Sequence, residues 1–145
     1  MALKTAGSGY TLKFIGRHSS GELFAQTYSD AFTVTTGSAY KLDFDQYVGT
    51  AFGGEVFAPN PIVALTDRGG NILTNQKSGF VEAVLTTSLL GSQLLPAKRH
   101  IASFSKGLAT FSGLYINEAG YPYQITFNTS LVSSFIKCWA SLIVL

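Results

Sequence analysis

A chain of 145 residues, 46% hydrophobic and only 12% charged, with 15 glycines and 13% aromatics, is long enough to bury a core and too apolar for disorder. Its formal charge of +2 implies no nucleic-acid partner: there is no Lys/Arg stripe, and the densest basic run, Lys98-Arg99-His100, reads as a solvated loop or strand end. Cys138 is the sole cysteine, which excludes an internal disulfide and a cysteine metal cluster while leaving the redox compartment open.

Residues 1–10 lack a charged stretch followed by an apolar one, so no signal peptide is expected there. Residues 10–15 set Tyr, Leu and Phe against Thr and Lys, which predicts a strand with one apolar face. Ala31-Phe32-Thr33-Val34 predicts another, ending at Gly37. Residues 40–44 place Tyr40, Leu42 and Phe44 on one face, with Lys41 and Asp43 on the other. The glycine-rich stretch 49–54 reads as a loop leading to Val56 and Phe57, and Pro59-Asn60-Pro61 is a rigid break.

Ile62–Thr66 is the next predicted strand, stopped by the turn Asp67-Arg68-Gly69-Gly70-Asn71, with Ile72-Leu73 opening the return arm. Phe80–Thr87 alternates Val81, Ala83 and Leu85 against Glu82, Val84 and Thr86. Residues 88–96 read as a strand edge and loop, or a short helix. Strands at 101–104 and 108–111 flank Lys106-Gly107, and Leu114-Tyr115-Ile116 leads through Asn117-Glu118-Ala119-Gly120 to a strand at 123–127. Short strands at regular spacing with glycine-rich turns predict an all-β sandwich. No run reaches the length of a membrane-spanning helix, and the closest, 135–145, is short and contains Lys137.

One phrase occurs twice. Ala6-Gly7-x-x-Tyr10-x-Leu12-x-Phe14 returns as Ala119-Gly120-x-x-Tyr123-x-Ile125-x-Phe127, a turn feeding a strand with one apolar face. This predicts tandem β-domains: residues 1–36 are the last strands of one copy, 37–131 are a second copy, and 132–145 are an apolar tail. The first segment has too few strands to be stable alone, so its strands are expected to pack onto the next domain or swap between chains. After Asn128 the counterpart of the 31–34 strand is missing, and the tail is read as a replacement last strand with Leu142 and Val144 on one face. The aromatics Tyr10, Phe14, Phe32, Phe44, Phe57, Phe111, Tyr123 and Phe127 follow the alternation and are expected in the core.

The inventory for catalysis is thin. His18 and His100 lie in no metal-ligand spacing, and neither a nucleophile elbow nor a phosphate-binding loop is present. Asp43 and Asp45 share a strand face about 7 Å apart, a separation that suits Ca²⁺ or a hydrolase, and equally a solvated face that discourages edge pairing. Asp67 and Asn71 offer oxygens to a cation, although Gly69-Gly70 explains the segment as a turn. Asn128-Thr129-Ser130 matches the glycosylation acceptor pattern, relevant in a secreted eukaryotic protein. No cofactor is expected.

Phe52-Gly53-Gly54-Glu55-Val56-Phe57-Ala58-Pro59-Asn60-Pro61-Ile62-Val63, followed by Asp67-Arg68-Gly69-Gly70-Asn71, resembles bacterial-type immunoglobulin-like (filamin-like) tandem repeats. Gly107-Leu108-Ala109-Thr110-Phe111-Ser112-Gly113-Leu114 and the Ala119-Gly120 turn resemble later segments of the same repeats, so the likeness spans about residues 6–130. The resemblance implies an immunoglobulin-like sandwich in a larger extracellular or surface protein, acting as a non-enzymatic spacer or adhesion module. Its implied partners are neighbouring repeats, or proteins and other copies bound through edge strands. A carbohydrate- or Ca²⁺-binding module and a cytoplasmic scaffold that binds peptides by strand addition are the alternatives.

Overall fold

A computed structural model describes residues 3–48, 51–88, 91–132 and 138–145. The first four strands form one broken ribbon. β1 (Gly7–Tyr10) pairs antiparallel with β4 (Phe32–Val34), and β2 (Lys13–Arg17) pairs with β3 (Leu23–Tyr28). The single strand expected at 10–15 is therefore split at Leu12. There Ser29 intervenes: its Oγ accepts the Leu12 amide at 2.9 Å, and its own N–H donates to the Leu12 carbonyl at 2.9 Å. A side-chain oxygen has taken the amide that a regular ladder would use.

The second region is an antiparallel β-sandwich. β5 (Lys41–Gln46), β6 (Ile62–Thr66) and β10 (Leu108–Thr110) form one sheet in the order β10-β6-β5. The other contains β7 (Phe80–Thr87), β9 (Ile101–Ser103), β12 (Gly120–Asn128) and β13 (Cys138–Val144) in the order β13-β12-β7-β9. β8 (Leu94–Leu95) and β11 (Tyr115–Ile116) add a small pair. Three strands facing four is the architecture of an immunoglobulin-like sandwich. Leu89 and Leu90, part of the ambiguous 88–96 stretch, lie outside the described residues, and the return arm at Ile72 is a single bridge to Thr66 rather than a strand.

Alternation decides what each strand buries. Cys138, Ala140, Leu142 and Val144 face inward along β13 while Trp139, Ser141 and Ile143 face out. β6 lies between two strands and buries Val63, Ala64 and Leu65 together, as a central strand covered on both faces does. Phe127 of β12 links the sheets: its ring meets Phe44 of β5 at 5.4 Å and Phe111, next to β10, at 5.2 Å, both edge-on.

The two copies of the repeated phrase share one pairing pattern at their starts. Gly7 faces Val34 and Tyr10 faces Phe32, with a register shift between them; Gly120 faces Val144 and Tyr123 faces Leu142, with a register shift at the same place. Each tyrosine folds back on the corner before it. Tyr10 Oη donates to the Thr5 carbonyl and Tyr123 Oη to the Glu118 carbonyl, both at 3.1 Å. This is the tyrosine corner that fixes the turn into the penultimate strand of immunoglobulin-like sandwiches.

Burial separates the copies. Tyr123, Ile125 and Phe127 are fully enclosed, whereas Leu12 is 37% and Phe14 54% exposed. Of the aromatics expected in the core, Phe57, Phe111, Tyr123 and Phe127 are buried and Tyr10, Phe32 and Phe44 half-buried, but Phe14 is not in a core. Its face has the right pattern and no facing sheet, because strands equivalent to β5, β6 and β10 do not stand opposite the ribbon.

Candidate functional site

The densest polar constellation lies where the ribbon meets the sandwich, at the turn after β6. Asp-x-Gly-Gly-Asn closes this turn tightly: Asp67 N–H donates to the Asn71 carbonyl at 3.0 Å, and Gly70 N–H to the Asp67 carbonyl at 3.1 Å. Aspartate at the head of such a turn satisfies amides further along it with its own carboxylate. Asp67 Oδ1 accepts the amides of Gly69 at 2.8 Å and Asn71 at 2.9 Å, and Asn71 Nδ2 lies 3.0 Å from Oδ2.

The remaining bonds leave the turn. Asp67 Oδ2 accepts the amide of Gly37, in the link between β4 and β5, at 2.8 Å. Asn71 presents its carboxamide to the corner before β1: Nδ2 donates to the Lys4 carbonyl at 2.6 Å and Oδ1 accepts the Ala6 amide at 2.8 Å. A carboxamide carries a donor and an acceptor side by side, so it matches a carbonyl and an amide two residues apart. Gly69 is required by the closeness of this seat, since a Cβ there would collide with the Lys4 carbonyl. Arg68 lies over the Tyr40 ring at 5.1 Å and covers the flank of the link.

These hydrogen bonds set the electrostatics. Asp67 is almost wholly enclosed, at 4% exposure, yet its carboxyl is held down to about 2. The Gly37 amide is the largest cause, followed by the Asn71 side chain and backbone, and these outweigh the desolvation that acts the other way. Four N–H donors fill about the four lone-pair sites that a carboxylate offers. A cleft of about 520 Å³ opens beside the turn, bordered by Leu3, Val34, Ser38, Tyr40 and Arg68.

The other candidate residues are scattered. Asp43 is exposed on β5 and pairs with Lys41 at 2.6 Å, and Asp45 is exposed on the same strand, at its register shift between Phe44 and Gln46. His18 stacks near Phe24 at 5.1 Å, and His100 meets the Leu94 carbonyl through Nε2 at 2.7 Å. Asn128 ends β12 with its Oδ1 buried and without a partner among the described residues. Cys138 is free and buried, and burial pushes its thiol up to about 12, with the Asp43 charge adding to the effect. Among the described residues no group of three His, Cys, Asp or Glu is placed to hold a metal ion, and no helix is long and apolar enough to cross a membrane.

Asp67 and Asn71 thus carry the site, and nothing in the sequence marks Lys4, Ala6 and Gly37 as their hydrogen-bond partners. They act through main-chain atoms, which every residue type supplies. The repeated Ala-Gly phrase was the one indication that residue 6 begins a corner.

No protein-family model matches the chain, and no curated protein does. Among solved structures, the chain is similar to a glycosyl hydrolase family 2 member from Bacteroides cellulosilyticus, with a TM-score of 0.54 and 11% identity over 96% of this chain. A β-glycosidase from Bacteroides vulgatus gives a TM-score of 0.47 at 14% identity. The chain spans only 18% of the length of each. At these identities the likeness concerns the fold alone.

Proposed function

We propose that this chain is a non-enzymatic structural and interaction module, a segment of a tandem immunoglobulin-like array in a surface or extracellular protein. Its work is to fix the angle between successive β-units. One observation carries this reading: a single turn, Asp67 to Asn71, bonds the link at Gly37 and the preceding unit at Lys4 and Ala6 together. A flexible tether would leave these groups to water, and a catalytic or cation site would keep carboxylate oxygens open.

Asn71→Ala removes both bonds to the preceding unit and leaves the Asp67 bonds to Gly37 and Gly69 in place. The expected result is loss of a fixed orientation between ribbon and sandwich, read from residual dipolar couplings, at a cost of about 1–3 kcal/mol in the stability of that contact. Unchanged relative alignment would sink the proposal.

The junction is also expected to fail in acid. The Asp67 carboxyl titrates at about 2 in the folded chain against the ordinary 3.8, so its stabilising effect is complete above about pH 4 and is lost as the pH falls towards 2. The seat of the ribbon should loosen across that window, and Asp67→Asn should loosen it at neutral pH and flatten the difference. A ribbon equally well seated at pH 5 and pH 2 contradicts the assignment.

A further inference from the structure

The corner that Asn71 reads exists twice in this molecule, and among the described residues only the first is read. Lys4, Thr5, Ala6 and Gly7 correspond to Asn117, Glu118, Ala119 and Gly120 through the repeated phrase, the matching register shift and the matching tyrosine bond. In the first corner the Lys4 carbonyl and the Ala6 amide meet the Asn71 carboxamide. Their equivalents are the Asn117 carbonyl and the Ala119 amide. Both residues are exposed, and among the described residues neither group has a hydrogen-bond partner.

Two further features fit the second corner for the same use. It sits where the chain leaves the sandwich, because Gly120 faces Val144 just as Gly7 faces Val34 before the link to β5. Its shape is braced from behind: Asn117 Oδ1 accepts the Gln93 amide at 2.6 Å, and Tyr123 Oη lies 2.9 Å from Ser92 Oγ. Gly53 packs closely beside the corner, where a Cβ would stand 2.8 Å from the Ala119 nitrogen.

We infer that the Asn117 carbonyl and the Ala119 amide form a docking site for the asparagine of an Asp-x-Gly-Gly-Asn turn carried by a following β-sandwich unit. The chain then has a reading end, Asp67 to Asn71, and a presenting end, Asn117 to Ala119. Units joined this way stack head to tail with one repeated angle. The inference rests on the junction reading above and extends it to the opposite pole.

The test is the full chain with residues 36–145 appended after Leu145, so that the second junction repeats the first. Amide hydrogen exchange is measured at Ala6 and Ala119 in the extended and unextended chains. Ala119 should exchange about tenfold more slowly in the extended chain, the effect of one net hydrogen bond. Replacing the appended copy's Asn71 by Ala should restore the faster rate. Equal Ala119 rates in both chains, with Ala6 still protected, would overturn this inference and leave the junction reading standing. An Ala6 amide as open as Ala119 in the unextended chain would overturn both.

Discussion

The ribbon of β1–β4 and the hairpin of β12 and β13 are two answers to one sequence pattern. Both start at an Ala-Gly corner, both bond a tyrosine hydroxyl back to that corner, and both shift register between the glycine and the tyrosine. In one, the apolar face is the wall of a closed core; in the other, Leu12 and Phe14 stand open. The pattern therefore specifies the hairpin, and the opposing sheet specifies whether the hairpin contributes burial energy. A strand face gains from the hydrophobic effect only in proportion to the area that something else removes from water.

The sharpest way to test that contrast is to truncate equivalent residues. Phe127→Ala should cost about 3–5 kcal/mol by leaving a hole between Phe44 and Phe111, more than a hundredfold in the folding constant. Phe14→Ala should stay within about 0.5 kcal/mol in denaturant unfolding, as a surface change does. Equal losses at the two sites would mean that the ribbon face is covered after all.

Thiol chemistry probes the same pair of faces. Phe127 faces Cys138 and Phe14 faces Thr27, so Thr27→Cys puts a thiol at the matching place on the open ribbon. Under native conditions the new thiol should react with iodoacetamide on the order of a hundredfold faster than Cys138, whose burial suppresses both access and ionisation. Comparable rates would contradict the difference in burial.

The smallest effect belongs to the corner. Tyr123→Phe removes bonds to Glu118 and Ser92 inside the sandwich and should cost about 1 kcal/mol. Tyr10→Phe removes an exposed bond to Thr5 and should cost a few tenths of that, about the level of a surface substitution. A larger loss at Tyr10 than at Tyr123 would show the ribbon corner to be the tighter one.

Much of this fold was legible along the chain. The period-two alternation at Phe80–Thr87 and the short apolar run at Ile62–Thr66 match strands with those bounds, and the Asp-x-Gly-Gly-Asn run is a turn as its residue types require. The break at Leu12 was not legible, because Ser29 makes it from across the ribbon. The junction was legible only in half. Asp67 and Asn71 stood out as oxygen-bearing residues, which suits a cation as well as an amide, and residue type alone cannot say which will be nearby.

The sequence by itself determined the all-β class, the strand faces and the repetition of one corner, since these follow from local periodicity and turn chemistry. The tertiary structure decided which apolar face is buried and what the polar turn holds. Burial depends on a second surface distant in the chain, and the groups that the turn holds are main-chain amides and carbonyls present at nearly every position. Only their placement, through the register of β1 on β4 and the link at Gly37, brings them to Asp67 and Asn71.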